Sequence, residues 1–150
     1  MVIYLTKLKK LKIALIGNPN SGKSSVFNAL TGLNQKVANF PGVTVDKRIG
    51  FDELKNSNGE TVSCEYIDLP GAYSLYPKSP EEIIPFQLLC DPQNELHPDV
   101  TIVIADGTNL KRNLFLCSQI IDLKIPVIMV INMMDIVRFK KIEINFSQLS

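Results

Sequence analysis

Gly17, Gly22, Lys23 and Ser24 occupy the fixed positions of the pattern GxxxxGK[ST], a spacing suited to holding the phosphates of a nucleotide. A glycine-rich turn lets backbone N–H groups converge on phosphate oxygens, and a helix starting at the turn adds the partial positive charge of its N-terminus. In such a loop Lys23 bridges the β- and γ-phosphates and the Ser24 hydroxyl ligates magnesium. Further along, Asp68-Leu-Pro-Gly71 offers a carboxylate able to hold magnesium through water, and a glycine whose backbone N–H can approach the γ-phosphate. Asn132-Met-Met-Asp135 offers a carboxylate that can accept from both N1–H and the 2-amino group of guanine, a donor pair adenine lacks. Between these motifs, Thr44 is the only threonine in the irregular stretch 33–44 and the candidate second magnesium ligand. Alone, DxxG and NxxD are short enough to arise by chance, and Thr44 suits the start of a strand equally well. Their order and placement give them weight.

The elements that must position these residues follow from periodicity. Residues 12–17 form a short apolar run ending in glycine, which predicts a buried parallel strand, and residues 23–30 a helix with Val26, Phe27 and Leu30 on one face and Gly32 as its stop. Stretch 33–44 has no regular period and predicts a long loop, ordered or switchable. Residues 45–54 and 61–67 flank Asn56-Ser57-Asn58-Gly59 and predict one antiparallel hairpin. Pro70, Pro77, Pro80, Pro85 and Pro92 crowd the next segment, so only a short helix starting near Pro80 and a mobile surround are expected. Residues 100–105 and 126–131 read as two more buried strands. Between them, 110–123 reads as a helix with Leu114, Leu116, Cys117, Ile120 and Ile121 inward. Alternating strands and helices give an α/β layered fold with a largely parallel sheet. Each motif then falls at the carboxyl end of a strand, where doubly wound sheets bind ligands.

Composition sets the outer bounds. In 150 residues, 45% are hydrophobic and 21% charged, and 16 Lys+Arg against 15 Asp+Glu leave a net charge of +1, as in an ordinary globular domain. That balance gives no support to a nucleic-acid partner. The richest apolar stretch, 125–131, is far short of the roughly 18 residues a membrane span requires. The lysine-interrupted N-terminus, with Lys7, Lys9, Lys10 and Lys12, does not read as a signal peptide. Cys64, Cys90 and Cys117 lack any CxxC spacing, and His97 is a lone imidazole, so neither a disulfide framework nor a zinc or iron site is indicated.

Together the motifs resemble a small, Ras-like GTPase of the phosphate-loop class. GNPNSGKSS at 17–25, NFPGVTVDK at 39–47, DLPGAYSL at 68–75, DGTNLKRNLFL at 106–116 and IPVIMVINMMD at 125–135 narrow this to the N-terminal domain of the bacterial ferrous-iron transporter B (FeoB) family. The resemblance implies GTP/GDP binding and GTP hydrolysis on the cytoplasmic side of the membrane, coupled to iron uptake by a membrane domain of the same chain. It further implies phosphate contacts from Asn20, Ser21, Gly22, Lys23 and Ser25, magnesium ligation by Ser24 and Thr44, γ-phosphate sensing by Gly71, and guanine recognition by Asn132 and Asp135. In GTPases activated by potassium, an asparagine at the position of Asn20 helps hold the ion, which stands in for an arginine finger. Where Ras-like proteins carry a water-orienting glutamine, this chain has Ala72, which implies slow turnover.

Two other readings share these motifs: a nucleotide sensor without meaningful turnover, and a GTPase acting on ribosome or tRNA. The second needs a basic extension that is not visible at +1. GTPases of this class end with a further strand, a guanine-contacting loop and a helix. Here only residues 142–146 could begin that strand, so the chain reads as an N-terminal G-domain fragment, 1–150, of a larger membrane transporter.

Overall fold

The computed structural model describes residues 10–149, so Lys7, Lys9 and Ser150 lie outside the described residues. β1 (Lys10–Gly17) carries the expected apolar run. Ala14, Leu15 and Ile16 are fully buried in it, as suits a strand covered on both faces. α1 (Lys23–Thr31) begins at Gly22 and stops at Gly32, whose N–H donates to Asn28 O at 2.9 Å.

β2 (Gln35–Asn39), β3 (Asp46–Lys55) and β4 (Thr61–Asp68) follow. The expected hairpin is present, with Lys55 opposite Thr61. β2 was not expected: it pairs antiparallel with β3 inside the stretch read as irregular. Lys36, Val37, Ala38 and Asn39 are all exposed, so this edge strand carries none of the alternation that marks a half-buried one. The loop available for switching shrinks to residues 40–45.

α2 (Pro80–Cys90) runs for 11 residues, longer than its prolines suggest. Pro80 sits in the first turn, where no N–H bond is lost, and the Ser79 hydroxyl accepts from Glu82 N. The helix continues through Pro85 because burial of Ile84, Leu88 and Leu89 outweighs one missing hydrogen bond. β5 (Val100–Asp106) leads through a tight turn into α3 (Leu110–Asp122), then β6 (Val127–Asn132) and α4 (Met134–Phe139).

Among the described residues six strands form one sheet in the order β2-β3-β4-β1-β5-β6, in which β3 alone runs against the others. On one face Ile16, Ile67 and Val103 pack with Leu88 and Leu89 of α2 and Leu116 and Ile120 of α3. On the other, Leu15, Tyr66 and Ile104 pack with Phe27 of α1. Cys64 and Cys117 are buried members of these cores and all three thiols are free. Burial pushes each thiol pKa up, and it pushes the Tyr66 hydroxyl up to about 12.

Three further expectations are corrected. β6 is an edge of the sheet rather than a fully buried strand, and Ile128 is 53% exposed. Ile121 faces solvent, while Asn113 takes a buried position on α3. Residues 142–146 do not start a strand. Lys141 adopts φ 53, and Ile142 N donates to Val137 O at 3.0 Å and Lys141 N to Arg138 O at 3.1 Å. That pair of bonds closes α4 and turns the chain away from β6. Lys10 and Lys12 anchor neighbouring segments: Lys10 pairs with Glu65 at 2.6 Å, and Lys12 Nζ donates to Glu95 O. No helix among the described residues is long and apolar enough to cross a membrane.

Candidate phosphate-loop site

The site is assembled at the carboxyl ends of β1, β4 and β6. Gly17 ends β1 under a steric limit: a Cβ there would lie 2.4 Å from Ile104 O on the neighbouring strand. The loop then turns through Asn20 at φ 64 and Gly22 at φ 83, with Ser21 N donating to Asn18 O at 3.1 Å. Gly22 has no room for a side chain, since a Cβ would lie 2.1 Å from Asn132 Nδ2. Ser24 and Ser25 are exposed on the first turn of α1, and Ser25 N donates back to Gly22 O at 3.1 Å. Ser21 Oγ is buried, has no hydrogen-bond partner among the described residues, and is turned towards Gly17.

Asp68 closes β4 and is only 8% exposed. Its Oδ1 accepts from Lys23 Nζ, so two of the motif residues meet directly. Beyond it the chain is stitched to β1 and the loop: Leu69 N donates to Leu15 O at 3.0 Å and Ala72 N to Gly17 O at 3.1 Å. These bonds press Gly71 onto Pro19, whose N would be 3.2 Å from a Cβ on Gly71. Ala72 is fully buried, so nothing at that position can orient a water molecule.

Thr44 lies on the 40–45 loop, which is anchored by buried Phe40 and by Phe40 N donating to Val45 O at 3.0 Å. A cleft of about 370 Å³ brings Lys23, Thr44, Asp68 and Gly71 together, with Glu81 at its rim. Of the cleft's lining, Thr44 offers a hydroxyl and Asp68, Asp46 and Glu81 carboxylates, while the Ser24 hydroxyl stands next to Lys23 on the first turn of α1. Hard oxygens fit magnesium, which keeps several waters and takes the rest of its shell from substrate phosphates. Among the described residues no cluster of His, Cys, Asp or Glu suits a dedicated metal cage.

At the other end of the site, Asn132 is engaged with the phosphate loop. Its Nδ2 donates to Ser21 O at 2.9 Å, which ties β6 to the phosphate loop. The Met133 methyl would be 3.3 Å from a Cβ on Gly22, so this side chain also lies on the loop. Asp135 stands exposed in the first turn of α4.

Arg48, on β3, escaped the sequence reading. Its guanidinium lies 5.1 Å from the centre of the Phe27 ring, donates to Asn28 Oδ1 at 3.0 Å and Gln35 Oε1 at 2.9 Å, and comes within 3.8 Å of Asp68 Oδ2. The signal was available: once the hairpin sets Lys55 opposite Thr61, the antiparallel register puts Arg48 opposite Asp68.

A family model described as ferrous iron transport protein B matches residues 11–150. The Fe(2+) transporter FeoB of Escherichia coli (strain K12) is 41% identical over 143 residues, covering 95% of this chain and 18% of the relative. That of Salmonella typhimurium (strain LT2) is 40% identical over the same length. The chain therefore spans about a fifth of the curated relatives it matches. Among solved structures, the G domain of the T. maritima FeoB iron transporter superposes with a TM-score of 0.80 at 37% identity, covering 93% of this chain and 80% of that one. A mutant S. thermophilus NFeoB bound to GDP gives 0.78 at 44% identity, covering 92% and 50%.

Proposed function

Because the chain belongs to the ferrous iron transport protein B family and has the phosphate-loop GTPase fold, we propose that it binds guanine nucleotide and hydrolyses GTP slowly. On this reading it is the switch module of a ferrous-iron uptake transporter, lying on the cytoplasmic side of the membrane and joined to a transport domain of the same longer chain. The convergence of Lys23, Thr44, Asp68 and Gly71 on one cleft carries the proposal.

When nucleotide binds, Lys23 exchanges the Asp68 carboxylate for the β- and γ-phosphate oxygens, and backbone N–H groups of residues 20–25 hold the phosphates. Ser24, Thr44 and, through water, Asp68 would hold magnesium, which would supply positive charge against the phosphate oxygens. Water attacks the γ-phosphorus, the bond to the β–γ bridging oxygen breaks, and GDP and inorganic phosphate result. Gly71 N–H meets the γ-phosphate, so its loss releases the segment beyond Gly71. Thr44 reports the same loss through the 40–45 loop. Asp135 reads guanine, while Asn132 acts on the phosphate loop from behind.

Buried Ala72 offers no group to position the attacking water, which favours a slow rate. Asn20 stands exposed at the crest of the loop, in left-handed backbone, where its side chain is available to a potassium ion. Single-turnover hydrolysis of GTP tests the proposal. We expect turnover that needs magnesium, is faster in potassium than in sodium, and is lost in Lys23→Ala. Nucleotide left intact over hours in potassium would make the chain a sensor instead, and equal rates in the two salts would remove the potassium role.

A further inference from the structure

Asp68 faces two cations: Lys23 at Oδ1 and Arg48 at Oδ2. The proposed function needs Lys23 to leave for the phosphates, and a carboxylate this buried cannot be left without compensating charge. Arg48 is built to stay. Its plane lies against Phe27, and its Nη2 is fixed between the carbonyl oxygens of the Asn28 and Gln35 side chains. A guanidinium held on three sides keeps its direction at small entropic cost. Gln35, the first residue of β2, is itself held by donating to Asn28 Oδ1 at 3.1 Å, Thr31 Oγ1 at 2.9 Å and Gly32 O at 2.8 Å. A continuous polar path thus runs from the end of α1 and the start of β2, through Arg48, to Asp68. β2 leads directly into the loop that carries Thr44.

We propose that Arg48 is a positioning residue for Asp68. It fixes the carboxylate towards the magnesium site once Lys23 has moved to the phosphates, and through Gln35 it couples that carboxylate to the strand preceding the Thr44 loop. The inference rests on the nucleotide reading above. Removing a group that orients a direct metal ligand typically costs about 10–100-fold in metal affinity, and because Asp68 acts through water the low end of that range is expected for Arg48.

The test is a magnesium titration of the dissociation rate of a fluorescent, non-hydrolysable GTP analogue, with the rate in EDTA as control. Arg48→Met keeps an apolar stem against Phe27 and removes the charge. We expect it to raise the magnesium concentration for half-maximal retention by about tenfold. Arg48→Lys keeps the charge but neither the stacking on Phe27 nor the fork to Asn28 and Gln35, and should recover only part of that shift. Gln35→Leu leaves the guanidinium on Phe27 and Asn28 but removes its third anchor and its link to β2, and should shift the midpoint in the same direction by a smaller factor. If Arg48→Met lowers the melting temperature while the midpoint stays put, Arg48 is only a brace between α1, β2 and β3 and the inference fails. If Arg48→Met does not fold, an unmoved midpoint in Gln35→Leu overturns the inference instead. A parent chain that retains the analogue no better with magnesium than without it overturns both this inference and the nucleotide reading. A magnesium-dependent parent beside unmoved variants overturns this one alone.

Discussion

The two ends of the site are built to different standards. At the phosphate end, β1, α1, β3, β4 and β6 all contribute, and the packing leaves little slack. Gly17 and Gly22 have no room for a Cβ, Lys23 and Asp68 are paired, and Asn132 clamps the loop from behind. At the base end, Asp135 projects from α4, a helix of 6 residues at the margin of the sheet, next to the half-buried edge strand β6. α4 is entered through Met133 at φ 59 and left through Lys141 at φ 53, non-glycine residues in the backbone region where glycine is favoured. Holding a highly charged phosphate chain demands many fixed donors in one geometry. Reading the base demands one carboxylate in reach of two donors, which tolerates a lighter support.

The strongest way to break this contrast is to put a methyl group where the phosphate end is tightest. In Gly22→Ala the new Cβ meets the Asn132 amide, and the backbone must keep φ 83 with an L side chain. Left-handed strain and a lost clamp to Ser21 O together cost about 3 kcal/mol. Urea unfolding should show that loss, and fluorescent GDP should no longer bind. A Gly22→Ala chain with parental stability and affinity would mean that the loop is far softer than its packing indicates.

The next largest effects separate the two members of the NxxD motif. Asp135 is exposed and, on the proposed function, reads the base, so Asp135→Asn should leave unfolding unchanged while weakening GDP binding by about 2 kcal/mol, roughly thirtyfold. Asn132→Ala should act in the reverse order. It removes the donor to Ser21 O and lowers stability by about 1 kcal/mol, while the guanine-over-adenine preference survives. Competition of GDP and ADP for the site, beside urea curves for both variants, checks the pair. An Asn132→Ala chain that lost its base preference would move Asn132 back to the role first read from its motif.

The same contrast explains what was legible in the sequence. The phosphate loop could be read residue by residue because steric limits at Gly17 and Gly22 and the charge of Lys23 allow few substitutes. The buried strands β1 and β5 announced themselves by unbroken apolar runs. β2 was missed because an edge strand with both faces in solvent has no hydrophobic period, and β6 was read as buried because its composition does not show that one side lacks a neighbour. Asn132 adds a separate case: its motif marks it as a nucleotide residue, whereas only the fold shows its bond to the carbonyl of Ser21, 111 residues away in sequence. Arg48 was readable by counting back along the hairpin, a step that requires trusting the turn enough to fix every pair above it. Residues 142–146 alternate like a strand, but the left-handed residue before them had already set the chain's direction.

The smallest effect tests whether the lighter support at the base end carries removable strain. Lys141 occupies the residue just past the helix cap, where glycine is the usual choice, and its side chain is exposed. In Lys141→Gly the two closing bonds, to Val137 O and Arg138 O, are kept, and the crowding of a Cβ at φ 53 disappears. Glycine also frees the unfolded chain, which offsets part of the gain. The net should be stabilisation of about 0.5 kcal/mol, seen as a small rise in the urea midpoint at constant slope. Because α4 carries Asp135, a firmer helix end should also slow GDP dissociation slightly without altering its magnesium dependence. If Lys141→Gly lowers stability, the left-handed turn is held by the lysine side chain rather than tolerated in spite of it, and the base end is more tightly specified than its exposure suggests.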